Sequence, residues 1–389
     1  MYHVLDEIRS APARQQPDWA DRARLDRVVE ELHTRRPLVS AHDVRTLGTL
    51  LVLVAQGRAL IVQAGDCAED PAECGAADVA RKRALLDLLA GTMRMAAHKP
   101  VLRVGRIAGQ YCKPRSNPVE LVGGLSLPPY RGHMVNLPEP TEDRRRAEPE
   151  RILDCYAAAD LIVNRLGWWG PREPMLDAAV WTSHEALLLD YEFPMLRQTS
   201  AGGLLLTSTH WPWIGERTRQ PEGAHVAMLS KVVNPVACKV GPSTTPQDAV
   251  GLCELLDPRR EPGRLTLVAR MGADAVAEKL PPLVRAVREA GYPAIWLCDP
   301  MHGNTLTTPE GLKTRFVDSV IREVRGFQWA VNRAGGVAGG LHLETTPDEV
   351  TECVADASQL DRVGHKYTSL CDPRLNPAQA VQVARAWQG

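Results

Sequence analysis

Eight short apolar runs, each ending at a glycine, a proline or a charged residue, recur from residue 58 onward. They cover residues 58–63, 101–107, 178–183, 204–211, 235–240, 265–270, 294–299 and 337–343. Helix-like segments lie between most of them, at 79–97, 246–256, 274–290 and 309–325. This alternation predicts a parallel sheet with right-handed crossovers, and eight strands favour closure into a (β/α)8 TIM barrel. A doubly wound open sheet is the competing architecture, but no G-x-G-x-x-G opens a helix after the first run, which counts against its dinucleotide-binding version.

The chain before the first run has a different pattern. Apolar residues at 25, 28, 29 and 32 have helical spacing, and those at 47, 50, 51 and 54 repeat it. We therefore predict an N-terminal helical extension over residues 1–57 and a barrel domain over residues 58–389 that ends in a helical segment. The two apolar stripes are interpreted as packing surfaces without chemistry.

The composition excludes several classes of partner. The 389 residues carry a formal net charge of −1, which gives no attraction to nucleic acid or to an acidic membrane surface. The first residues lack the apolar core of a signal peptide, and no run approaches the ~18 apolar residues of a membrane span. Nine irregularly spaced cysteines indicate reduced thiols, so we expect a cytoplasmic protein.

Charged or metal-ligating residues recur where each predicted strand ends. In strand order they are Asp66 and Cys67, Arg106, His184 and Glu185, Glu216 and Arg217, Lys239, Arg270, His302, and Glu344. Barrel enzymes assemble their active sites at the carboxyl ends of the strands. The common phase of these residues therefore predicts an enzyme with its site at that end.

One subset of these residues could bind a metal ion. Cys67, His302, Glu344 and Asp372 offer one thiolate, one imidazole and two carboxylates. This set suits a divalent ion of borderline hardness, such as Mn²⁺, Co²⁺, Fe²⁺ or Zn²⁺. The alternative is that Cys67 is a packed small hydrophobic residue and His302 a hydrogen-bonded loop histidine. Spacing alone leaves both interpretations open.

A second subset is basic. Its members are Arg106, Lys113, Arg115, Arg217, Lys239 and Arg270. In the stretch KPRS (113–116), a guanidinium stands beside a hydroxyl, a combination that can clamp a phosphate. Six cations at one barrel mouth would repel one another unless multiply charged anions filled it. The alternative is solvated surface charge, paired with acids such as Glu216.

At these residues the chain closely resembles the type II 3-deoxy-arabino-heptulosonate 7-phosphate (DAHP) synthases. The matching blocks are QAGDCAE (63–69), RIAGQYCKPRS (106–116), WTSHEALLLDYE (181–192), WIGERTRQ (213–220), NPVACKVGPS (234–243), RMG (270–272), CDPMHGNT (298–305), GGLHLE (339–344) and CDPRLN (371–376). They follow the family's order. The resemblance implies a (β/α)8 barrel transferase that condenses phosphoenolpyruvate with erythrose 4-phosphate, the first step of the shikimate pathway.

The resemblance also implies roles for individual residues. Cys67, His302, Glu344 and Asp372 match the family's ligands of a divalent metal, with Mn²⁺ or Co²⁺ expected foremost. The residues implied to hold phosphoenolpyruvate are Arg106, Lys113, Arg217, Lys239 and Arg270. Arg115 and Ser116 match the clamp for the phosphate of erythrose 4-phosphate, and the catalytic candidates are Lys113, Glu185, Glu216 and His302. We also expect a homo-oligomer, either a dimer or a tetramer.

Two departures from the family pattern concern the acceptor. After the KPRS block the family reads R-G-D-x-x-N-G, whereas here His133 replaces the acid and Leu137 the glycine. A different acceptor, such as an amino-sugar phosphate of the aminoshikimate route, is therefore the main alternative. A catalytically silent regulatory paralogue is a further one, against which the full set of matched ligands and cations argues. The chain is also short for the family and resembles members without longer regulatory extensions, which are associated with secondary metabolism.

Overall fold

The computed structural model describes residues 2–122, 124–169 and 178–389. Three helices precede the sheet: α1 (Tyr2–Ser10), α2 (Arg22–Thr34) and α3 (Ala41–Ala55). α2 begins after Asp21, whose side chain accepts a hydrogen bond from the Arg24 amide. The predicted helices are confirmed, and Leu25, Val28 and Leu32 of the first stripe are buried. The division into an extension and a barrel domain stays a prediction.

The main sheet has eight parallel strands. They are β1 (Leu60–Gly65), β2 (Val101–Arg106), β3 (Val180–Ser183), β4 (Trp213–Ile214), β5 (Val236–Val240), β6 (Leu265–Ala269), β7 (Ile295–Cys298) and β8 (Val337–Glu344). Their order is β3-β2-β1-β8-β7-β6-β5-β4. The outermost strands are joined where the Trp211 and Trp213 amides donate to the Thr182 and His184 carbonyls, over 3.2 and 3.0 Å. The sheet is thus a nearly closed barrel, which confirms the predicted fold class.

The predicted position of the fourth barrel strand, at residues 204–211, was wrong. The run at 204–211 does not enter the barrel as a strand, since Leu204–Leu206 pairs antiparallel with Leu196–Gln198. The side chain of Asn234 bonds both the amide and the carbonyl of Leu206, at 2.9 and 3.0 Å, and so occupies the backbone groups that a barrel neighbour would need. The barrel strand follows instead at β4.

Helices surround the sheet. They are α4 (Ala76–Ala97), α5 (Arg151–Arg165), α6 (Leu189–Glu192), α7 (Ala224–Lys231), α8 (Pro246–Leu256), α9 (Val276–Glu289), α10 (Val317–Arg333) and α11 (Pro377–Arg385), with short 3-10 turns at Pro71–Glu73, Phe193–Met195 and Ala357–Arg362. The predicted helix at 309–325 begins only at Val317, because Leu306–Thr307 and Lys313–Thr314 form a hairpin before it. A second hairpin joins Glu120–Val122 to Leu125–Leu127. Among the described residues, no helix combines the length and apolarity needed to cross a membrane.

The two ends of the barrel differ in character. At the amino-terminal end, Leu47, Leu51 and Val54 of α3 pack with the interior-facing residues of the strands in one buried apolar cluster. At the carboxyl end, the register pairs Gly65 of β1 with Arg106 on one side and with Glu344 on the other. Helix α3 therefore fills one opening, and the charged strand ends gather at the other.

Candidate active site

A thiol and two carboxylates converge at the carboxyl end of the barrel. One ligand atom from each of Cys67, Glu344 and Asp372 lies within 4.8 Å of the others. Glu344 ends β8, Cys67 follows β1, and Asp372 comes from the segment before α11. The structure thus brings together three of the four predicted metal ligands. A thiolate with two carboxylates fits a divalent transition metal better than Mg²⁺.

The fourth predicted ligand, His302, borders this cluster. Its Nε2 atom lies 3.3 Å from Oε1 of Glu344. Its Nδ1 atom lies 2.8 Å from the buried carboxylate of Asp299. A carboxylate on one ring nitrogen fixes the orientation of a histidine and leaves its other nitrogen for a metal. His302 therefore has the arrangement of a ligand, although it stands outside the tight group of three.

The three converging groups already face a positive charge. The Lys113 ammonium lies 2.6 Å from the sulfur of Cys67, 3.0 Å from Asp372 and 3.4 Å from Glu344. Burial alone would lower the pKa of Lys113, but the charges of Asp372, Cys67 and Glu344 raise it well above its ordinary value. The donor set is therefore electrostatically suited to a cation.

Glu344 is held ionised at the bottom of the site. Burial would raise its pKa, yet His302, Lys113 and Arg315 hold the pKa of this carboxyl well below its usual range. Arg315 donates to Oε2 over 2.9 Å, and Arg106 donates to Oε1 over 3.1 Å. The pKa of the Cys67 thiol is raised instead, by burial first and then by a hydrogen bond with Cys371. A coordinated cation deprotonates a thiol.

Arg106 is buried beneath the cavity and, besides its ion pair with Glu344, contacts a chain of neutral groups. It donates to Nε2 of His342 over 2.6 Å, and a guanidinium can only donate, so the proton of His342 must lie on Nδ1. Nδ1 lies 2.5 Å from the Gln63 side-chain oxygen, and Gln63 in turn donates to Ser183 over 2.6 Å. Burial, with the charges of Lys239 and Arg106, lowers the pKa of His342 well below its usual value. These residues lie within the blocks that match the family, but the sequence did not indicate that their side chains form a hydrogen-bonded series inside the barrel.

Above these groups lies a cavity of about 870 Å³. It is lined by predicted site residues from most strand ends, namely Lys113, Arg115, Ser116, Glu185, Glu216, Arg217, Lys239, Arg270, His302 and Asp372. Arg106 is not part of this lining. Within the predicted basic set, five cations thus face one cavity, and Arg106 supports it from below.

Lys239 and Arg270 lie on one wall, where both contact the loop after β7 that carries Asp299 and His302. Lys239 lies 2.8 Å from Asp299, the carboxylate that also holds His302. Arg270 donates to the His302 carbonyl over 3.3 Å. Burial lowers the pKa of Lys239, while the charge of Asp299 opposes this. Asp299 therefore links Lys239 to a candidate ligand, and the sequence signal for it was its place directly after β7.

The opposite wall carries the phosphate-clamp candidates. Arg217 donates to the Ser116 hydroxyl over 2.6 Å, so it contacts the clamp candidates directly. Arg115 lies 3.5 Å from Glu120 of the hairpin. The sequence had grouped Arg217 with the phosphoenolpyruvate set. Lys313, which the sequence interpretation missed, also lines the cavity and donates to Asp372 over 2.8 Å.

Two carboxylates face the cavity between these walls. Oε1 of Glu185 and Oε2 of Glu216 are buried atoms without a hydrogen-bond partner in the described part of the chain. Glu216 accepts from Arg219 on its other oxygen, at 3.0 Å. A Cβ atom on Gly215 would lie 2.0 Å from Oε1 of Glu185, so this glycine makes room for the carboxylate. Both side chains are thus free to bind a water molecule or a substrate hydroxyl.

The residues that depart from the family pattern lie outside the cavity lining. His133 packs edge-on against Tyr130 and its Nδ1 lies 2.7 Å from the tyrosine oxygen. Leu137 donates its amide to Arg144 and does not have a positive φ. The glycine that this loop does require is Gly132, with φ of 98° and a Cβ position 2.0 Å from the Tyr111 carbonyl oxygen. His184 is also turned away from the cavity, since it bonds buried Glu192 over 2.8 Å.

Comparison with known proteins gives a consistent result. The model of the class-II DAHP synthetase family matches residues 3–169 and 169–387. A relative from Pseudomonas fluorescens, named "Probable phospho-2-dehydro-3-deoxyheptonate aldolase", is 54% identical and covers 100% of this chain and 98% of its own. Phospho-2-dehydro-3-deoxyheptonate aldolase of Streptomyces coelicolor is 39% identical, covering 97% and 94%. The solved structure of the Francisella tularensis phospho-2-dehydro-3-deoxyheptonate aldolase has a TM-score of 0.55 at 13% identity and covers 94% of this chain and 97% of that one, which supports the fold alone.

Proposed function

Since the chain belongs to the class-II DAHP synthetase family, we propose that it condenses phosphoenolpyruvate with erythrose 4-phosphate to give DAHP and inorganic phosphate. As a transferase of this family it would catalyse the first step of the shikimate pathway, with reduced thiols consistent with a cytoplasmic site. The observation that carries the proposal is one cavity that joins five cations to a thiol–carboxylate cluster. Two phosphorylated substrates need such a charge distribution, whereas a regulatory paralogue does not.

We assign the metal-side wall to phosphoenolpyruvate. Arg270, Lys239 and Lys113 are cations of the cavity that border the candidate ligands. They would bind the carboxylate and phosphate of this substrate, because charge-assisted hydrogen bonds to anions are strong in a site shielded from water. Arg106 would act from below by fixing Glu344, with which it forms a buried ion pair of 3.1 Å.

We assign the opposite wall to the phosphate of the aldose. Arg115, Ser116 and Arg217 offer two guanidinium groups and a hydroxyl. Guanidinium groups bind phosphate oxygens with two parallel hydrogen bonds. The aldehyde end of the acceptor would then extend across the cavity towards Asp372 and His302.

The candidate metal site fits this assignment. Cys67, His302, Glu344 and Asp372 would hold a divalent cation, with Mn²⁺ or Co²⁺ expected and Fe²⁺ or Zn²⁺ compatible with the donors. When bound, such a cation supplies a Lewis acid that polarises the carbonyl of the acceptor. Asp299 keeps Nδ1 of His302 engaged, so that Nε2 is left for this role.

The reaction itself follows from the chemistry of an enol phosphate. C3 of phosphoenolpyruvate forms a bond to the aldehyde carbon, the carbonyl oxygen takes up a proton, water adds to C2, and phosphate leaves with cleavage of the C2–O bond. We assign Glu185 and Glu216 to orienting that water and accepting its proton, because each has a buried oxygen without a partner. Lys113 and His302 complete the set of proposed catalytic residues.

Product analysis tests the proposal directly. The purified protein, loaded with Mn²⁺, is incubated with phosphoenolpyruvate and a panel of aldose phosphates that includes erythrose 4-phosphate and an amino-sugar phosphate. Mass spectrometry should detect DAHP, with one phosphate released per phosphoenolpyruvate consumed. A product formed only from the amino-sugar phosphate, or no consumption of phosphoenolpyruvate with any acceptor, would contradict it.

A further inference from the structure

The segment at residues 11–19, here called the strap, runs from the N-terminal helix α1 to the loops at the carboxyl end of the barrel. Pro12 accepts a hydrogen bond from the Ala224 amide over 3.0 Å, at the first residue of α7. The side chain of Gln16 accepts from the Leu189 amide over 3.0 Å, at the first residue of α6, which follows β3. The strap therefore connects loops that follow two different barrel strands, although the sequence gave it no chemical role.

Gln15 brings the strap to the phosphate-clamp candidates. Its side-chain oxygen accepts a hydrogen bond from the Arg115 amide over 2.8 Å. Its main-chain oxygen accepts from the guanidinium of Arg131 over 3.3 Å. Gln15 has a φ of 63°, which lies in the left-handed region. This conformation is unfavourable in free energy for a residue other than glycine. This conformation presents both oxygens of Gln15 to the loop that carries Arg115.

The charges on this loop explain why neutral acceptors matter. Arg115 and Arg131 are close enough to repel, since the pKa of Arg131 is lowered by burial first and then by the charge of Arg115. Glu120, 3.5 Å from Arg115, already offsets part of the charge of that guanidinium, and a second carboxylate would further weaken the positive potential that a phosphate needs. The two oxygens of Gln15 instead satisfy the donors while leaving the net charge of the guanidinium groups unchanged.

We propose that Gln15 is a positioning residue for the phosphate-binding end of the cavity. By fixing the peptide unit of Arg115, it holds the Arg115 side chain and Ser116 beside Arg217, and so raises the affinity for a phosphorylated acceptor. The proposal rests on the proposed function for the identity of that acceptor. The chemistry recognised, a phosphate group, can be tested without turnover.

Two substitutions of Gln15 separate positioning from folding. Gln15→Met keeps the size of the side chain but removes the acceptor, and Gln15→Gly removes the side chain while accepting the positive φ without strain. Loss of one neutral hydrogen bond corresponds to a change of about 2- to 10-fold. Both variants should therefore raise the KM for erythrose 4-phosphate by about 3- to 10-fold and leave the KM for phosphoenolpyruvate within about twofold. Gln15→Gly should have a Tm no lower than that of Gln15→Met.

Gln16→Met is the matched control, because Gln16 bonds the loop after β3 and not Arg115. It should lower the Tm without raising the KM for erythrose 4-phosphate. Isothermal titration of inorganic phosphate, with phosphoenolpyruvate saturating, should show the same weakening in both Gln15 variants. An unchanged phosphate affinity in both, or an equal rise in the two KM values, would overturn the proposal. Wild-type protein that does not turn over erythrose 4-phosphate would overturn the proposed function instead, and the phosphate titration would still decide the role of Gln15.

Discussion

Single residues of the basic set have different surroundings, and these surroundings separate their expected roles. Arg270 bonds the His302 backbone at the metal side of the cavity. Arg115 faces Glu120 and the strap at the other side. Arg217, grouped with Arg270 by sequence, bonds Ser116. The position of a guanidinium along the chain thus indicates that it reaches the cavity, but the wall it occupies depends on the loop that carries it.

Substitution of Arg270 and Arg115 should affect different substrates. Arg270→Ala removes a cation from the proposed phosphoenolpyruvate wall, and losing a charge-assisted hydrogen bond costs about 1.5–3 kcal/mol. We expect a kcat/KM for phosphoenolpyruvate lower by about 10- to 100-fold. Arg115→Ala should instead raise mainly the KM for erythrose 4-phosphate. Steady-state kinetics with each substrate varied in turn distinguish these outcomes, and variants that affect both substrates alike would refute the division.

At the scale of secondary-structure elements, the loops after the strands are fixed by buried polar side chains. His225 of α7 is an example, since its Nε2 lies 2.9 Å from the Leu187 carbonyl oxygen in the loop after β3. A carbonyl only accepts, so Nε2 carries the proton. Burial lowers the pKa of His225, and the hydrogen bond to Leu187 opposes this. This hydrogen bond joins α7 to the loop after β3.

The lowered pKa of His225 makes part of the stability pH-dependent. Its pKa in the folded protein lies below the unfolded value of about 6.5, so below that pH the unfolded chain takes up the proton first. The contribution is present above about pH 6.5 and is lost as the pH falls towards the folded pKa. His225→Gln cannot be protonated, so its Tm relative to wild type should improve between about pH 7.5 and pH 5.5. Substitution of exposed His42 by glutamine is the control and should show no such change.

The loop that contains His133 and Leu137 gives a test at the same scale. Neither residue lines the cavity, and His133 bonds Tyr130 behind it. We therefore expect the double change His133→Asp with Leu137→Gly to leave kcat/KM for erythrose 4-phosphate within about twofold, because no cavity contact is altered. The Tm should fall, since the contact with Tyr130 is lost. An improved kcat/KM for this acceptor would show that the loop controls acceptor choice, as the departure from the family pattern suggested.

At the scale of the whole molecule, most of the hydrophobic core lies away from the candidate metal site. The core extends around the barrel and through α3, whereas the metal cluster occupies only its carboxyl end. We expect a chain of 389 residues with such a core to fold without a metal. All nine cysteines are free thiols, so Cys67 is available as a ligand.

Cys67→Ala should therefore abolish metal-dependent turnover and leave a folded protein. Loss of one ligand in four lowers metal affinity steeply. We expect the variant to retain the circular dichroism spectrum of the wild type, and its Tm to become insensitive to added Mn²⁺. The wild-type enzyme should lose activity with a chelator and regain it with Mn²⁺ or Co²⁺. Cys74→Ala, outside the cluster, is the control and should keep both the metal-dependent activity and the response of the Tm to Mn²⁺. Full activity of the metal-free wild type would contradict the metal assignment.

The sequence by itself determined the barrel, since alternating apolar strands and helical segments have few ways to bury both faces of a parallel sheet. It also determined which residues lie at the carboxyl end of the barrel, because the last residues of parallel strands gather at the same end of a sheet. It misplaced β4, where the hydrogen bonds of Asn234, a tertiary contact, withdraw the backbone of Leu206 from the barrel. Likewise, only the tertiary structure decided that Arg106 lies below the cavity, that Arg217 joins Ser116, and that Gln15 reaches Arg115 from 100 residues away. These contacts depend on the paths of loops, and local sequence patterns do not encode which distant side chain will satisfy a loop's polar groups.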